Sequence, residues 1–301
     1  LPAAETFNDA IYNFLNTNNL TKIKFYAESE KTSEMQIGES GVYLLVGNDN
    51  TLEIHTAASE FIFPANCKSM FHFLTNLTSV DFNNCVNTEN VTTMAEMFDY
   101  CTALTSLDLS YFNTENVTTM AKMFYGCYEL ESLDLSNFNT ASVKSMESMF
   151  YNCKAMTSID LSNFNTASVT TMESMFQSCE KLTSITFGAN FTAASVKSME
   201  SMFYKCEAMT SIDLSNFNTA SVTTMESMFY GCYQLESLDL SNFTFKAETI
   251  YTSMFAGTGS DVKTNTNELI PIYVKDEEDK TTLENAVTLI YSQIIVKSNG
   301  L

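Results

Sequence analysis

The sequence predicts an α/β repeat: a solenoid with one short strand and one helix per coil, capped by small α+β segments at both ends. Three observations predict it. Cys101, Cys127, Cys153 and Cys179 follow one another at a spacing of 26 residues, Cys206 comes after 27, and Cys232 restores 26, which is a tandem array. Within each unit the apolar period changes: Leu107-Asp108-Leu109 alternates as a strand does, whereas Val117, Met120, Met123, Phe124 and Cys127 step by threes and fours as on one helix face. Finally, "FNTASVTTMESMF" occurs twice, at residues 164–176 and 217–229. A unit with one apolar face buries it only by stacking on its neighbours.

The elements follow in order. Residues 1–60 read as an α+β cap: "FNDAIYNFLNT" has helical spacing, "KIKFYA" alternates, and "GVYLLVGNDNTLEIHT" is a hairpin around Asn48-Asp49-Asn50. Residues 61–260 read as the solenoid. Asn116, Ser142, Ser168, Ser195 and Ser221 precede the valine that opens each helical stripe, the place for a residue capping free amides. Degenerate copies mark the ends: Met70-Phe71 with Leu74 in the cysteine slot, and Met254-Phe255 with Thr258 there. In the fourth copy an extra residue between Phe187 and Phe191 reads as a bulged turn without a change of register. Residues 261–301 read as a C-terminal βαβ-like cap, with strands "LIPIYVK" and "QIIVK" around a helix over Asp276 to Tyr291.

Composition narrows the function. The formal net charge is −21, with 36 Asp and Glu against 15 basic residues, all of them lysine. Long-range repulsion therefore opposes nucleic acid and anionic membrane surfaces. Without arginine there is no guanidinium fork for phosphate recognition. No stretch approaches the roughly 18 apolar residues of a membrane-spanning helix, so direct membrane insertion is not expected. The chain opens at Leu1 on a polar run, as expected of a mature chain whose export signal has been removed.

The frames "LTSLDLSNFNT…SVTTMESMFYGC", from about Asn66 to Gly259, resemble the leucine-rich-repeat units of BspA-like bacterial surface proteins, the type abundant in mycoplasma lipoproteins. The resemblance implies a leucine-rich-repeat-like solenoid, export to the cell surface or medium, and adhesion to host or neighbouring-cell proteins, with no catalytic motif or cofactor. One departure is visible. Phe112, Phe138, Phe164, Phe191, Phe217 and Phe243 stand where ordinary leucine-rich repeats carry a buried asparagine, so a phenylalanine spine is expected in place of an asparagine ladder.

Four columns are candidate sites. The cysteine column reads as buried packing thiols, with disulfides or metal as alternatives; its slot accepts Leu74 and Thr258, which neither bridge nor ligate. The methionine and phenylalanine stripe, such as Met146, Met149 and Phe150, is the only apolar face of its segment and is expected in the core. The middle residue of each Leu-x-Leu points away from that core, which places Asp81, Asp108, Asp134, Asp160, Thr186, Asp213 and Asp239 in one exposed row. Carboxylates about one strand spacing apart repel by roughly 1 kcal/mol per pair in water. Hydrogen bonds from Ser106, Ser132, Ser158, Ser211 and Ser237, bound calcium or a partner's lysines would compensate. The fourth column is a tyrosine rim after Met-Phe: Tyr100, Tyr125, Tyr151, Tyr204 and Tyr230.

These columns argue against an enzyme. A retaining glycosidase pair needs two carboxyl groups in unlike surroundings, and identical coils give every aspartate nearly the same one. His55 and His72 are the only histidines, both outside the regular array. No catalytic residue, metal site or cofactor is expected. Repetition suits a long binding surface, here an acidic concave sheet carrying Asp81, Asp108, Asp134, Asp160, Asp213 and Asp239 beside the rim of Tyr125, Tyr151, Tyr204 and Tyr230. The expected partners are host or bacterial extracellular proteins. The alternative is a spacer with no ligand of its own.

Overall fold

The computed structural model describes residues 1–29, 35–259, 269–287 and 292–297. Helix α1 (Ala4–Asn18) buries Phe7, Ala10, Ile11, Phe14 and Leu15, spaced as an amphipathic helix requires, and stops where Asn19 turns left-handed at φ 52°. Strand β1 (Lys22–Tyr26) follows, then β2 (Met35–Gln36), β3 (Val42–Val46) and β4 (Thr51–Thr56). The expected hairpin is present: β3 and β4 pair antiparallel around residues 47–50. Strand β1 pairs parallel with both β4 and β6 (Ser79–Asp81), and so joins this cap to the first coil. Strands β5 (Phe61–Ile62) and β7 (Val86–Asn87) form a second parallel junction.

From Asn66 to Thr258 the chain winds through coils in constant phase. One parallel bridge per coil links Asn66, Thr93, Thr119, Ser145, Thr171, Ser198, Thr224 and Ile250 in an unbroken row. The extra residue of the fourth copy lies between Thr171 and Ser198 and leaves that row intact. Gly188 makes the bulge possible, because a Cβ there would lie 1.9 Å from the carbonyl oxygen of Ser162.

The helix expected in each coil is not formed. The stripe from Val117 to Cys127 is a series of turns. Met123, Tyr125 and Cys127 donate to the carbonyls three residues back, while Met120, Lys122, Phe124 and Gly126 donate to Ser145, Glu147, Met149 and Tyr151 of the next coil. An α-helix would keep all of these amides for itself. The turns require left-handed residues at two places per coil, such as Lys122 at φ 57° and Gly126 at 68°, or Ser148 and Asn152 in the next. Each turn brings the chain back to the core after three or four residues, which is why the apolar stripe mimics a helix. The supposed caps have no helix to cap: Asn116 donates to the Glu89 carbonyl and Ser195 to that of Ala167, both one coil back.

The opposite side of the coil carries the strands, and these are sparse. Strands β8 (Ser158–Leu161) and β9 (Ser184–Phe187) pair in parallel, and β10 (Leu238–Asp239) pairs with the C-terminal cap. Residues 105–109 and 131–135 have no assigned strand. Hydrogen bonds between coils are thus densest along the turns, and the expected concave sheet on the aspartate side is not formed as a continuous ladder.

The core is a set of files running along the stack. Phe71, Phe98, Phe124, Phe150, Phe176, Phe203, Phe229 and Phe255 stack ring on ring, with centroids 5.1–6.1 Å apart and planes within 16°. Such offset stacks add to the burial of each ring. The flanking methionines, Met120 and Met123 among them, are fully buried. The eight cysteines are buried and free. In the regular coils each thiol donates to the phenylalanine carbonyl one coil back, as Cys153 does to Phe124 at 3.2 Å, and Thr258 makes the same bond to Phe229. Leu74 fills the slot in the first coil, which has no preceding coil to supply an acceptor. Burial pushes the thiols of Cys179 and Cys232 up to about 12, so they are inert at neutral pH.

Two polar ladders cross-link the coils. Buried Thr88, Thr114 and Thr140 each donate a hydroxyl to the carbonyl of Asn113, Asn139 and Asn165 in the next coil, and accept from the amide of that same asparagine. An asparagine ladder also exists, contrary to expectation, one residue before the phenylalanine column: Asn137 donates to Leu109 and Phe112, and Asn163 to Leu135 and Phe138. The phenylalanines are buried beside it.

The C-terminal cap contains β11 (Ile270–Val274), α2 (Glu277–Ala286) and β12 (Ser292–Val296), with β11 between β10 and β12 in a parallel sheet. Asp276 caps α2 through the amides of Glu278 and Asp279. The helix ends at Ala286, short of the expected Tyr291; residues 288–291 lie outside the described residues.

Because bonds join each coil mainly to its neighbours, excising Ser142 through Ala194 joins "FNTA" to "SVKS" in phase. The shortened protein is expected to unfold cooperatively with an undiminished far-ultraviolet circular dichroism signal per residue. Aggregation or a broad, non-cooperative transition would contradict a modular stack.

Candidate functional site

The aspartates form the expected exposed row. Asp81, Asp108, Asp134, Asp160, Asp213 and Asp239 are all exposed, and Thr186 stands beside Asp160 in the register of β8 and β9. Each carboxylate closes a turn by accepting the amide two residues on: Ser110 to Asp108 at 2.9 Å, Ser136 to Asp134, Ser162 to Asp160, Ser215 to Asp213, Ser241 to Asp239, and Asn83 to Asp81 at 2.8 Å. The compensating groups are therefore the serines following each aspartate, rather than Ser106, Ser132, Ser158, Ser211 and Ser237. The Ser110 hydroxyl and amide hold Asp108 below the usual carboxylate range; the amide and hydroxyl of Ser136 and of Ser215 do the same for Asp134 and Asp213. The same turns fix the direction of every carboxylate in the row.

Among the described residues, lysines of the chain neutralise the two ends of the row. At one end Lys24, paired in register with Asp81 across β1 and β6, places Nζ 2.7 Å from Asp81 Oδ2. At the other Lys297, just beyond β12, reaches Asp239 Oδ2 at 2.5 Å. Burial alone would raise Asp239, but Lys297 and Ser241 outweigh it and hold the carboxyl low. Among the described residues no lysine pairs with Asp108, Asp134, Asp160 or Asp213.

The tyrosine rim lies on the turn side. Tyr125 and Tyr151 stack at 4.3 Å with planes 2° apart, and Tyr204 and Tyr230 at 4.7 Å and 9°. Gln177 separates the two pairs in the column. Tyr100 sits one position later in its coil, yet its ring stands 5.3 Å from that of Tyr125 and 4.9 Å from that of Phe73. All five tyrosines are half-buried.

The family model described as "Mycoplasma protein of unknown function, DUF285" matches residues 65–187 and again 157–268, so that the two placements together span the solenoid. The chain belongs to this family. The mycoplasma-type, BspA-like repeat read from the copies is thus the family found. Among solved structures the DUF285 chain is similar to a leucine-rich repeat protein from Bacteroides ovatus, at 14% identity over 85% of this chain and 70% of that one, with a TM-score of 0.32. No curated protein matches it.

The DUF285 array carries a second acidic row that sequence reasoning missed. Glu147, Glu173, Glu200 and Glu226 occupy one phase of the turn ladder and are half-buried; burial, then Glu173 and Glu226, raise the Glu200 carboxyl. Its signature in the sequence is the "MES" that precedes Met149, Met175, Met202 and Met228.

Both histidines lie in the N-terminal part. His55 links Ser29, 2.8 Å from Nδ1, to Glu53, 3.0 Å from Nε2. The order resembles a nucleophilic triad, but His55 is 2% exposed and its ring stacks on Tyr26 at 4.7 Å, an arrangement that ties β4 to β1. His72 Nδ1 lies 3.1 Å from Asp99 Oδ2, while Asp99 Oδ1 is buried without a hydrogen-bond partner. Burial chiefly, then Glu96, push the Asp99 carboxyl up to about 7, against the opposing pull of Lys122. Among the described residues no cluster of three His, Cys, Asp or Glu side chains suits a metal ion, and no helix is long and apolar enough to cross a membrane.

Proposed function

We propose that this chain is a non-catalytic binding protein of the cell surface or secreted space, which presents its aspartate row to a lysine-bearing segment of a host or neighbouring-cell protein. The observation that carries this reading is the pattern of neutralisation along the row. Turn amides align the carboxylates, the chain's own lysines satisfy the two terminal members, and Asp108, Asp134, Asp160 and Asp213, which pair with no lysine among the described residues, remain for an outside cation. Repeated charges of one sign steer association and make it sensitive to salt. The tyrosine rim, on another side of the coil, is a separate surface for the same or a second partner. The BspA-like resemblance supports export and adhesion, and a DUF285 stack with no ligand of its own would instead serve as a spacer.

The test is a triple substitution, Asp134→Asn, Asp160→Asn and Asp213→Asn, titrated with an extracellular basic protein or a lysine-rich peptide. Affinity is expected to fall at least about tenfold, with a shallower salt dependence and an unchanged circular dichroism spectrum. Unchanged affinity, or no binding by the wild type to any basic partner, favours the spacer.

A further inference from the structure

The regular coils make rows, so a place where one coil departs from the rest is where a unique contact is to be sought. Such a departure lies at Tyr111. In the following coils this position is the ladder asparagine, Asn137 or Asn163, whose carboxamide bonds to carbonyls one coil back. By coil equivalence, with Phe82 and Cys85 bonded to each other as Leu109 and Phe112 are in the next coil, a carboxamide at position 111 would address the carbonyls of Phe82 and Cys85. The N-terminal cap already serves Cys85, whose oxygen accepts the Phe61 amide at 2.7 Å, and Phe82 accepts the amide and thiol of Cys85. The ladder needs nothing from residue 111, and a tyrosine stands there 50% exposed. Its ring, with Asp81, Phe82, Asn83, Asn84 and Asp108, lines an open cleft of about 210 Å³.

The chain shows what such a cleft accepts. One position away, Lys24 sets its ammonium 2.7 Å from Asp81 and 5.6 Å from the centroid of the Tyr26 ring. A carboxylate and a phenol ring together thus form a receptor for a lysine side chain, the ring contributing through its negative face. Asp108 and Tyr111 supply the same two groups in the next coil. There the Asp108 carboxylate is held ionised by Ser110, and no cation of the chain pairs with it among the described residues.

We infer that the Tyr111 cleft is the anchor point of the acidic row: it takes one lysine side chain of the partner, with the ammonium on Asp108, the methylene stem along the Tyr111 ring, and the Asn83 and Asn84 carboxamides facing the partner's backbone. This rests on the reading of the row as a binding face and adds to it a fixed starting register for the bound segment.

The protein contains no tryptophan, so Tyr111→Trp in the full chain keeps an aromatic ring and places a sole tryptophan in the cleft, excited selectively over the tyrosines. Titration with Nα-acetyl-lysine methylamide is expected to shift that emission saturably, with a dissociation constant on the order of millimolar for a single cation and ring contact. Adding Asp108→Asn is expected to weaken the effect at least about fivefold, whereas the norleucine analogue should have no effect. A response to norleucine equal to that of lysine, or saturation by methyl glucoside without any by lysine, overturns the assignment. A second measurement separates this from the function proposed above. With a lysine-rich peptide, Tyr111→Asn is expected to lose about fivefold in affinity while Asp134, Asp160 and Asp213 are intact. If that variant binds like the wild type while the triple aspartate variant does not, the row stands and the anchor fails; if neither variant has an effect, both fail.

Discussion

Phe150→Ala is expected to destabilise the protein by about 3–5 kcal/mol, the cost of emptying a fully buried aromatic site. Phe150 is 0% exposed and lies between Phe124 at 5.7 Å and Phe176 at 5.5 Å. The adjoining rings cannot close the gap, because the backbone of each coil is fixed by amides donated to the next: Phe124 to Met149 and Phe150 to Met175. The vacancy is therefore kept rather than filled. Chemical denaturation should show the loss as a lower midpoint at unchanged slope. A loss below about 1 kcal/mol would mean that the file of rings is loosely packed. The same substitution at Tyr151, on the half-buried rim, is expected to cost much less.

The second large effect is a gain. Asp99 occupies the column position held elsewhere by Tyr125 and Tyr151, and it is buried with one oxygen unpartnered. Its folded-state pKa, about 7 against the ordinary 3.8, means that between about pH 4 and 7 the folded chain holds a proton which the unfolded chain has released. Stability on this account falls as pH rises through that window, and the full penalty is present above pH 7. His72 works the other way: burial lowers its pKa, so below about 6.5 the unfolded chain binds more protons and stability rises with pH there. Asp99→Asn removes the first effect and leaves the second. Side-chain exposure near a tenth lets water recover part of the penalty, leaving an expected gain on the order of 2 kcal/mol at pH 8 and almost none at pH 4. Thermal unfolding at the two pH values checks the sign. A loss of stability at pH 8 would show that the contact with His72 is a net attraction that the asparagine cannot replace.

The solenoid, its phase and its core columns are legible in the sequence because they depend on spacing alone. A methionine at 120, 146, 172, 199 and 225 must recur in one place if the coils stack, whatever the local backbone does. The helix was misread for the same reason. Steps of three and four report how often a chain returns to the core, not where its amides donate, and here alternate amides leave for the next coil. Gly126, Asn152 and Gly231 in one column were the available sign, since glycine and asparagine are the residues that adopt positive φ most readily. The threonine ladder was legible too: Thr114, Thr140, Thr166 and Thr219 recur after "FN" while the residues after them change between Glu and Ala. The aspartate row was placed by alternation, but its turns to Ser110, Ser136 and their equivalents require knowing that the strand ends there. Tyr111 could be seen only as an exception, and its meaning depends on Phe61 having taken the carbonyl that its coil would otherwise leave to an asparagine.

The bonds that run from each coil to its neighbour also set how the molecule would respond to a pull along its axis. Tension drawn between the two caps would pass through the junctions between coils in series, so that coils would detach one at a time. Each loop of 26 residues would release roughly 90 Å of extended chain. A molecule that yields in equal instalments lengthens under load while most of it remains folded.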